Sequence, residues 1–210
     1  MKKIFITATN TDIGKTYTTL KLLQLYAKKG YKVGAIKPIE TGVKDTPVDG
    51  MKLLTLQKIL NPDLEFLDID DVVLVKYSQP AAPYIANNQK ETNLDMIDRA
   101  IKKFKKYCDM LFIEGAGGLY VPINKDYFMI DFIESLHVDK VVLVTHCNLG
   151  CINDTLLSQK ALVSKGLSPK IIFNCRDFES TKNFEKTSKP FFEDIGIDII
   201  TTTNLEKIYL

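Results

Sequence analysis

Ala8-Thr9-Asn10-Thr11-Asp12-Ile13-Gly14-Lys15-Thr16 is the stretch on which the reading of this chain turns. A β-branched and aromatic run, residues 3–8, precedes it. A longer segment, residues 15–29, follows, with Leu20, Leu23, Leu25 and Ala27 supplying apolar faces and Gly30 a stop signal. The spacing predicts a strand, a loop and a helix. A loop of this kind aims backbone N–H groups and the positive end of a helix dipole at an anion. Gly14 lets the backbone approach a phosphate. Lys15 brings a point charge to the β- and γ-phosphates, and the Thr16 hydroxyl is suited to magnesium. Asp12, Ile13, Gly14, Lys15, Thr16 and Tyr17 are therefore the expected nucleotide-binding residues. The strict G-x-x-x-x-G-K-[ST] spacing would put glycine at position 9, where Thr9 stands.

Outward from the loop, strand-like and helix-like segments alternate. Strands are expected over 32–37, 72–75, 109–114, 140–145 and 170–174, with 140–145 the clearest buried run. Helices are expected over 50–60, 94–106 and 153–165. The tail from about residue 183 reads as one helix and a last strand over 198–201. This order predicts a single α/β domain over 1–210 with the P-loop NTPase-like fold. Its central sheet is mostly parallel and has helices on both faces. Ligands gather at the carboxyl ends of such strands.

The remaining motifs fall at strand ends. Lys37-Pro38-Ile39-Glu40-Thr41-Gly42 places a cation, Lys37, where phosphate or carboxylate would meet it. Glu114-Gly115-Ala116-Gly117-Gly118 puts a carboxylate at the end of a buried strand, fit to hold a metal, before glycines that expose backbone N–H groups. Gly150-Cys151-Ile152-Asn153 opens a helix. Asn153 reads either as an N-cap or as part of a helix start that receives a substrate carboxylate. Asn174-Cys175-Arg176-Asp177 reads either as a purine-reading pair or as a plain turn.

Composition narrows the setting. The 210 residues are 45% hydrophobic and 26% charged, and the net charge of +2 gives no reason to expect nucleic acid or a membrane surface as partner. No apolar run reaches the ~18 residues of a membrane span, and Ile4-Phe5-Ile6 is too short for a signal core. A cytoplasmic location is expected. Cys108, Cys147, Cys151 and Cys175 are scattered and predict free thiols, with neither a disulfide framework nor a zinc site.

As an ordered set these motifs resemble the dethiobiotin synthetases over roughly residues 5–174. The family loop G-T-D-T-x-V-G-K-T appears as residues 8–16, with Ala8 for its first glycine and Asn10 for its aspartate. K-P-[IV]-x-[ST]-G, E-G-A-G-G and G-x-I-N stand at 37–42, 114–118 and 150–153, and P-x-[SA]-P is matched by Pro80-Ala81-Ala82-Pro83. The resemblance implies a magnesium- and ATP-dependent cyclo-ligase of biotin biosynthesis. Such an enzyme carboxylates 7,8-diaminononanoate with CO2, or bicarbonate as its source, and closes the ureido ring through a carbamic-phosphoric anhydride. It implies Lys15 and Lys37 as catalytic residues and Thr16, Asp49 and Glu114 around magnesium, with Asp45 the alternative to Asp49. It implies Thr11, Lys37, Thr41, Gly117 and Gly118 at the substrate, and Asn174 at the nucleotide. It further implies a homodimer in which Gly150, Cys151 and Asn153 of a neighbouring subunit complete the substrate site. A P-loop regulatory ATPase of the partition or septum-positioning type is the alternative. That group has a second loop lysine where this chain has Asn10.

Overall fold

The computed structural model describes residues 1–210. The chain runs β1 (Lys2–Ala8), α1 (Lys15–Lys28), β2 (Val33–Ile36), β3 (Ile39–Thr41), α2 (Val48–Leu60), α3 (Ile69–Val72), β4 (Val75–Tyr77) and α4 (Pro83–Ala86). It continues through α5 (Asp95–Phe104), β5 (Met110–Glu114), β6 (Pro122–Asn124), β7 (Tyr127–Phe128), α6 (Met129–Ser135) and β8 (Lys140–His146). The last elements are α7 (Cys151–Ser164), β9 (Pro169–Asn174), α8 (Phe178–Thr187) and α9 (Lys189–Asp194).

Five strands pair in parallel in the order β2-β5-β1-β8-β9. Ile4, Phe5 and Ile6 of β1, Leu111 to Ile113 of β5 and Val142 to Val144 of β8 are fully buried. Layers cover the sheet on both sides, so these strands read as unbroken apolar runs instead of alternating ones. Register then sets the site. Ile6 pairs with Glu114 on one side of β1, and Ala8 pairs with Val144 on the other. The loop after Ala8 therefore leaves the sheet at its carboxyl edge beside Glu114. Helices α1 and α2 pack on each other and on β2, while α7 packs on β8 and β9.

Several local expectations are corrected. Residues 72–75 do not form one strand, because Val72 ends α3. Asp68 caps that helix by accepting from the Asp70 and Asp71 amides, so the acidic run winds a turn before β4 can start. The tail holds two helices, divided at Ser188 with Pro190 in the first turn of the second. Phe184 and Phe192 dock them on β9 through Phe173, at ring-centroid distances of 4.7 and 4.9 Å. Residues 198–201 give only one bridge, Thr201 to Phe173, in place of a strand.

The thiols also differ from expectation. Cys147 and Cys175 form a disulfide with Cα atoms 5.0 Å apart, while Cys108 and Cys151 are free and buried. The cause is register: His146 and Asn174 are partners across β8 and β9, so the next residue of each strand reaches the same edge.

Candidate active site

Gly14 precedes α1 with φ +100°, a conformation that L side chains avoid, and a Cβ there would fall 2.1 Å from Asn174 Nδ2. The Asn174 amide occupies that space. Its Nδ2 donates to the Ile13 carbonyl at 2.8 Å, and its Oδ1 accepts from Thr202 Oγ1 at 3.1 Å. The Arg176 guanidinium donates to the Asp12 carbonyl. The end of β9 thus braces the loop from the side. Asp177 caps α8 by accepting from the Ser180 amide, which is the plain-turn reading of that residue.

Lys15 opens α1 and is buried, its Nζ donating to the Asn10 carbonyl at 3.2 Å. Burial, and then the nearby charge of Lys37, lower its pKa to about 8. Glu114, at the tip of β5, has no exposed surface. Three donors surround its carboxylate: Thr16 Oγ1 at 2.6 Å, Lys37 Nζ at 2.7 Å and Thr19 Oγ1 at 2.9 Å. A buried carboxylate is tolerated only when paired and hydrogen-bonded in this way.

Lys37 stands just past β2, where the strand meets Pro38, and its Nζ is also 3.4 Å from Asp49 Oδ2. Burial alone would lower the Lys37 pKa, but the carboxylates of Glu114 and Asp49 outweigh it and raise the pKa above the ordinary value. Burial would raise the Asp49 pKa, but Lys37 and Lys52 hold it below the usual carboxylate range. Asp49 lies in the first turn of α2 and lines the cleft, whereas Asp45 is exposed and outside its lining. The cleft, about 570 Å³, also meets Thr11, Asp12, Thr16, Tyr17, Thr41 and Gly117. Thr16, Asp49 and Glu114 offer only oxygen donors, a set suited to a hard cation such as magnesium.

A family model described as an AAA domain matches residues 2–202. The chain is 43% identical over 195 residues to "ATP-dependent dethiobiotin synthetase BioD" of Sulfurovum sp. (strain NBC37-1), covering 93% of this chain and 91% of that one. The protein of the same name from Wolinella succinogenes is 41% identical, over 92% of this chain and 89% of that one. The chain belongs to the dethiobiotin synthetase family. The MinC:MinD cell division complex of Aquifex aeolicus matches with a TM-score of 0.57 at 19% identity, over 95% of this chain and 79% of that one. At that identity the likeness shows the shared fold alone.

Other residues of the synthetase motifs fall beside the cleft. Pro80, Ala81, Ala82 and Pro83 wall a hollow that shares Thr11, Thr41 and Gly117 with it. Gly118 faces a separate hollow with Thr9, Asn10, Tyr120 and Leu157. Gly150, Cys151 and Asn153 do not line the chain's own cleft. Asn153 is not the N-cap of α7: Gly150 holds that place with φ +96°, and Asn153 is exposed in the first turn with its Nδ2 on Asp154 at 3.2 Å. Sequence reasoning assigned no role to three residues at the site: Thr19, which donates to Glu114, Arg176, which holds the loop, and Glu40, which lines the cleft. Only Thr19 had a readable signal, since it follows Thr16 by three residues and shares its helix face.

Proposed function

We propose that this chain is a dethiobiotin synthetase that uses ATP and magnesium to carboxylate 7,8-diaminononanoate with CO2 and close its ureido ring. Family membership supports the reaction. The observation that carries the residue roles is the meeting of Thr16, Lys37 and Glu114 within hydrogen-bond distance at the carboxyl edge of the sheet.

ATP lies along the loop from Asp12 to Tyr17, its phosphates on the amides at the start of α1 and on Lys15. Asn174 serves the nucleotide by holding the loop from β9. Thr16, Asp49 and Glu114 would hold magnesium, which would neutralise phosphate charge.

The diamine lies against Thr11, Thr41 and Gly117 and extends toward Gly118 in the adjoining hollow, which shares Asn10 and Val121 with the one walled by Pro80 to Pro83. One amine captures CO2 as a carbamate. A carbamate oxygen attacks the γ-phosphorus, ADP leaves, and the second amine closes the ring as phosphate departs. Lys15 and Lys37 stabilise the charge that moves through these steps, and the chain's task is placement rather than nucleophilic attack.

The substrate's distal carboxylate is received by Gly150, Cys151 and Asn153 of a second subunit in a homodimer. Leu149, 96% exposed beside them, would lie on the face that the second subunit covers. No helix is long and apolar enough to cross a membrane, and a cytoplasmic enzyme fits this reading.

The protein should convert diaminononanoate, bicarbonate and ATP to dethiobiotin, detected by mass spectrometry, with one phosphate released per ring. ATP hydrolysis that ignores the diamine, with no ring product, would overturn the assignment.

A further inference from the structure

Glu40 has no role among those above, and it occupies the variable position of the Lys37–Gly42 motif. It lies on β3, only 7% exposed, and faces the start of α2. The first amides of a helix have no partner within the helix. Pro47, at the N-cap of α2, supplies no side-chain acceptor. Glu40 takes that part from another strand, Oε1 accepting from the Asp49 amide at 3.0 Å and Oε2 from the Gly50 amide at 2.9 Å. Its negative charge also suits the helix dipole at that end. Gly50 lets the start of α2 pack closely on Val73, since a Cβ there would lie 2.0 Å from Val73 Cγ2.

Two bonds from one carboxylate to successive amides fix both the position and the rotation of the first turn. The residue so fixed is Asp49, whose carboxylate lies 3.4 Å from Lys37 and opposite Glu114. We propose that Glu40 is a positioning residue, aiming the Asp49 carboxylate at the cation through the backbone of α2. The inference rests on the reading of Asp49 as a magnesium ligand. Glu40→Gln keeps the shape but turns an N–H donor toward one of the two amides.

The test measures Mn2+ binding to the protein with a non-hydrolysable ATP analogue, by electron paramagnetic resonance, in wild type, Glu40→Gln, Asp49→Asn and the double variant. Glu40→Gln is expected to weaken Mn2+ by about tenfold, the range found for groups that orient metal ligands, and Asp49→Asn, which alters a ligand itself, by at least as much. The double variant should be no weaker than Asp49→Asn alone, because both act through one carboxylate. Amide exchange at Asp49 and Gly50 should quicken in Glu40→Gln.

Mn2+ affinity within about twofold of wild type in Glu40→Gln, or additive losses in the double variant, overturns the positioning role. Unchanged affinity in Asp49→Asn removes Asp49 from the metal site and the proposal with it, a result distinct from failure of Glu40 alone. If Glu40→Gln does not fold, Glu40→Asp keeps the charge but is too short to grip both amides. It should still lose at least about threefold in Mn2+ affinity, and wild-type binding there overturns the proposal.

Discussion

Lys15 carries its charge in a place that disfavours it until an anion arrives. Burial and the neighbouring Lys37 bring its pKa from 10.5 to about 8. The sign of the linked stability follows. Between those two pH values the unfolded chain keeps a proton that the folded chain has lost, so stability rises with pH from about 8 to 10.5. Below that window both states are protonated and the penalty is fully present, on the order of 3 kcal/mol. Lys15→Met should therefore raise the melting temperature of the ligand-free protein at pH 7, flatten the rise in stability above pH 8, and abolish turnover. Calorimetry of both proteins between pH 6.5 and 10 checks this, and an unchanged profile in the variant would refute it. ATP binding runs the other way. Phosphate needs the cation, so affinity should fall as pH passes about 8, and binding near that pH should take up a proton.

Elements whose ends carry chemistry were legible because each end is local in sequence. The run from β1 through the loop into α1 combines a buried apolar strand, a Gly-Lys-Thr turn and a periodic helix. Glu114 and Lys37 stood out as polar residues closing apolar strands. What stayed hidden depends on strand order and on loops that cross the fold. Glu40 lies on the strand just before the helix it caps, but only the fold of the intervening loop turns its carboxylate onto that helix, and Arg176 reaches a loop 164 residues distant. The Cys147–Cys175 disulfide is hidden in the same way, since only the register of β8 with β9 places two scattered cysteines side by side. Its effect belongs to these elements: it ties the end of β9, which braces the loop, to the end of β8, which leads into α7. A cross-link over a separation of 28 residues contributes about 2–4 kcal/mol by limiting the unfolded chain. Denaturant unfolding without reductant should show a loss of that size in Cys147→Ser. Wild type should fall to the same level with reductant, and Cys108→Ser should keep its reductant response. Four titratable thiols in unreduced, denatured wild type would contradict the pairing.

At the scale of the whole molecule, the proposed homodimer places a second subunit at the edge of each site. The cleft holds Lys15, Lys37, Asp49 and Glu114, but the start of α7 lies outside it, with Leu149 exposed at its tip and Tyr120 and Leu157 exposed on the hollow beside Gly118. A two-fold pair, each subunit lending its α7 to the other's cleft, accounts for both facts. The particle should have twice the 23.8 kDa chain mass by light scattering. A sharper consequence concerns which chain each residue serves. Lys15→Gln disables the loop of its own subunit. Asn153→Asp sets a negative charge where the partner's substrate carboxylate would arrive, while a carboxylate in the first turn of α7 remains compatible with the helix dipole. Refolded together in equal amounts, the two inactive variants form mixed dimers in which one site carries both lesions and the other neither. Random pairing then leaves about a quarter of all sites intact, and activity should recover to about a quarter of wild type. If Lys15 and Asn153 served the same cleft within one chain, every site in the mixture would still carry one lesion. Activity would then stay at the average of the two variants alone.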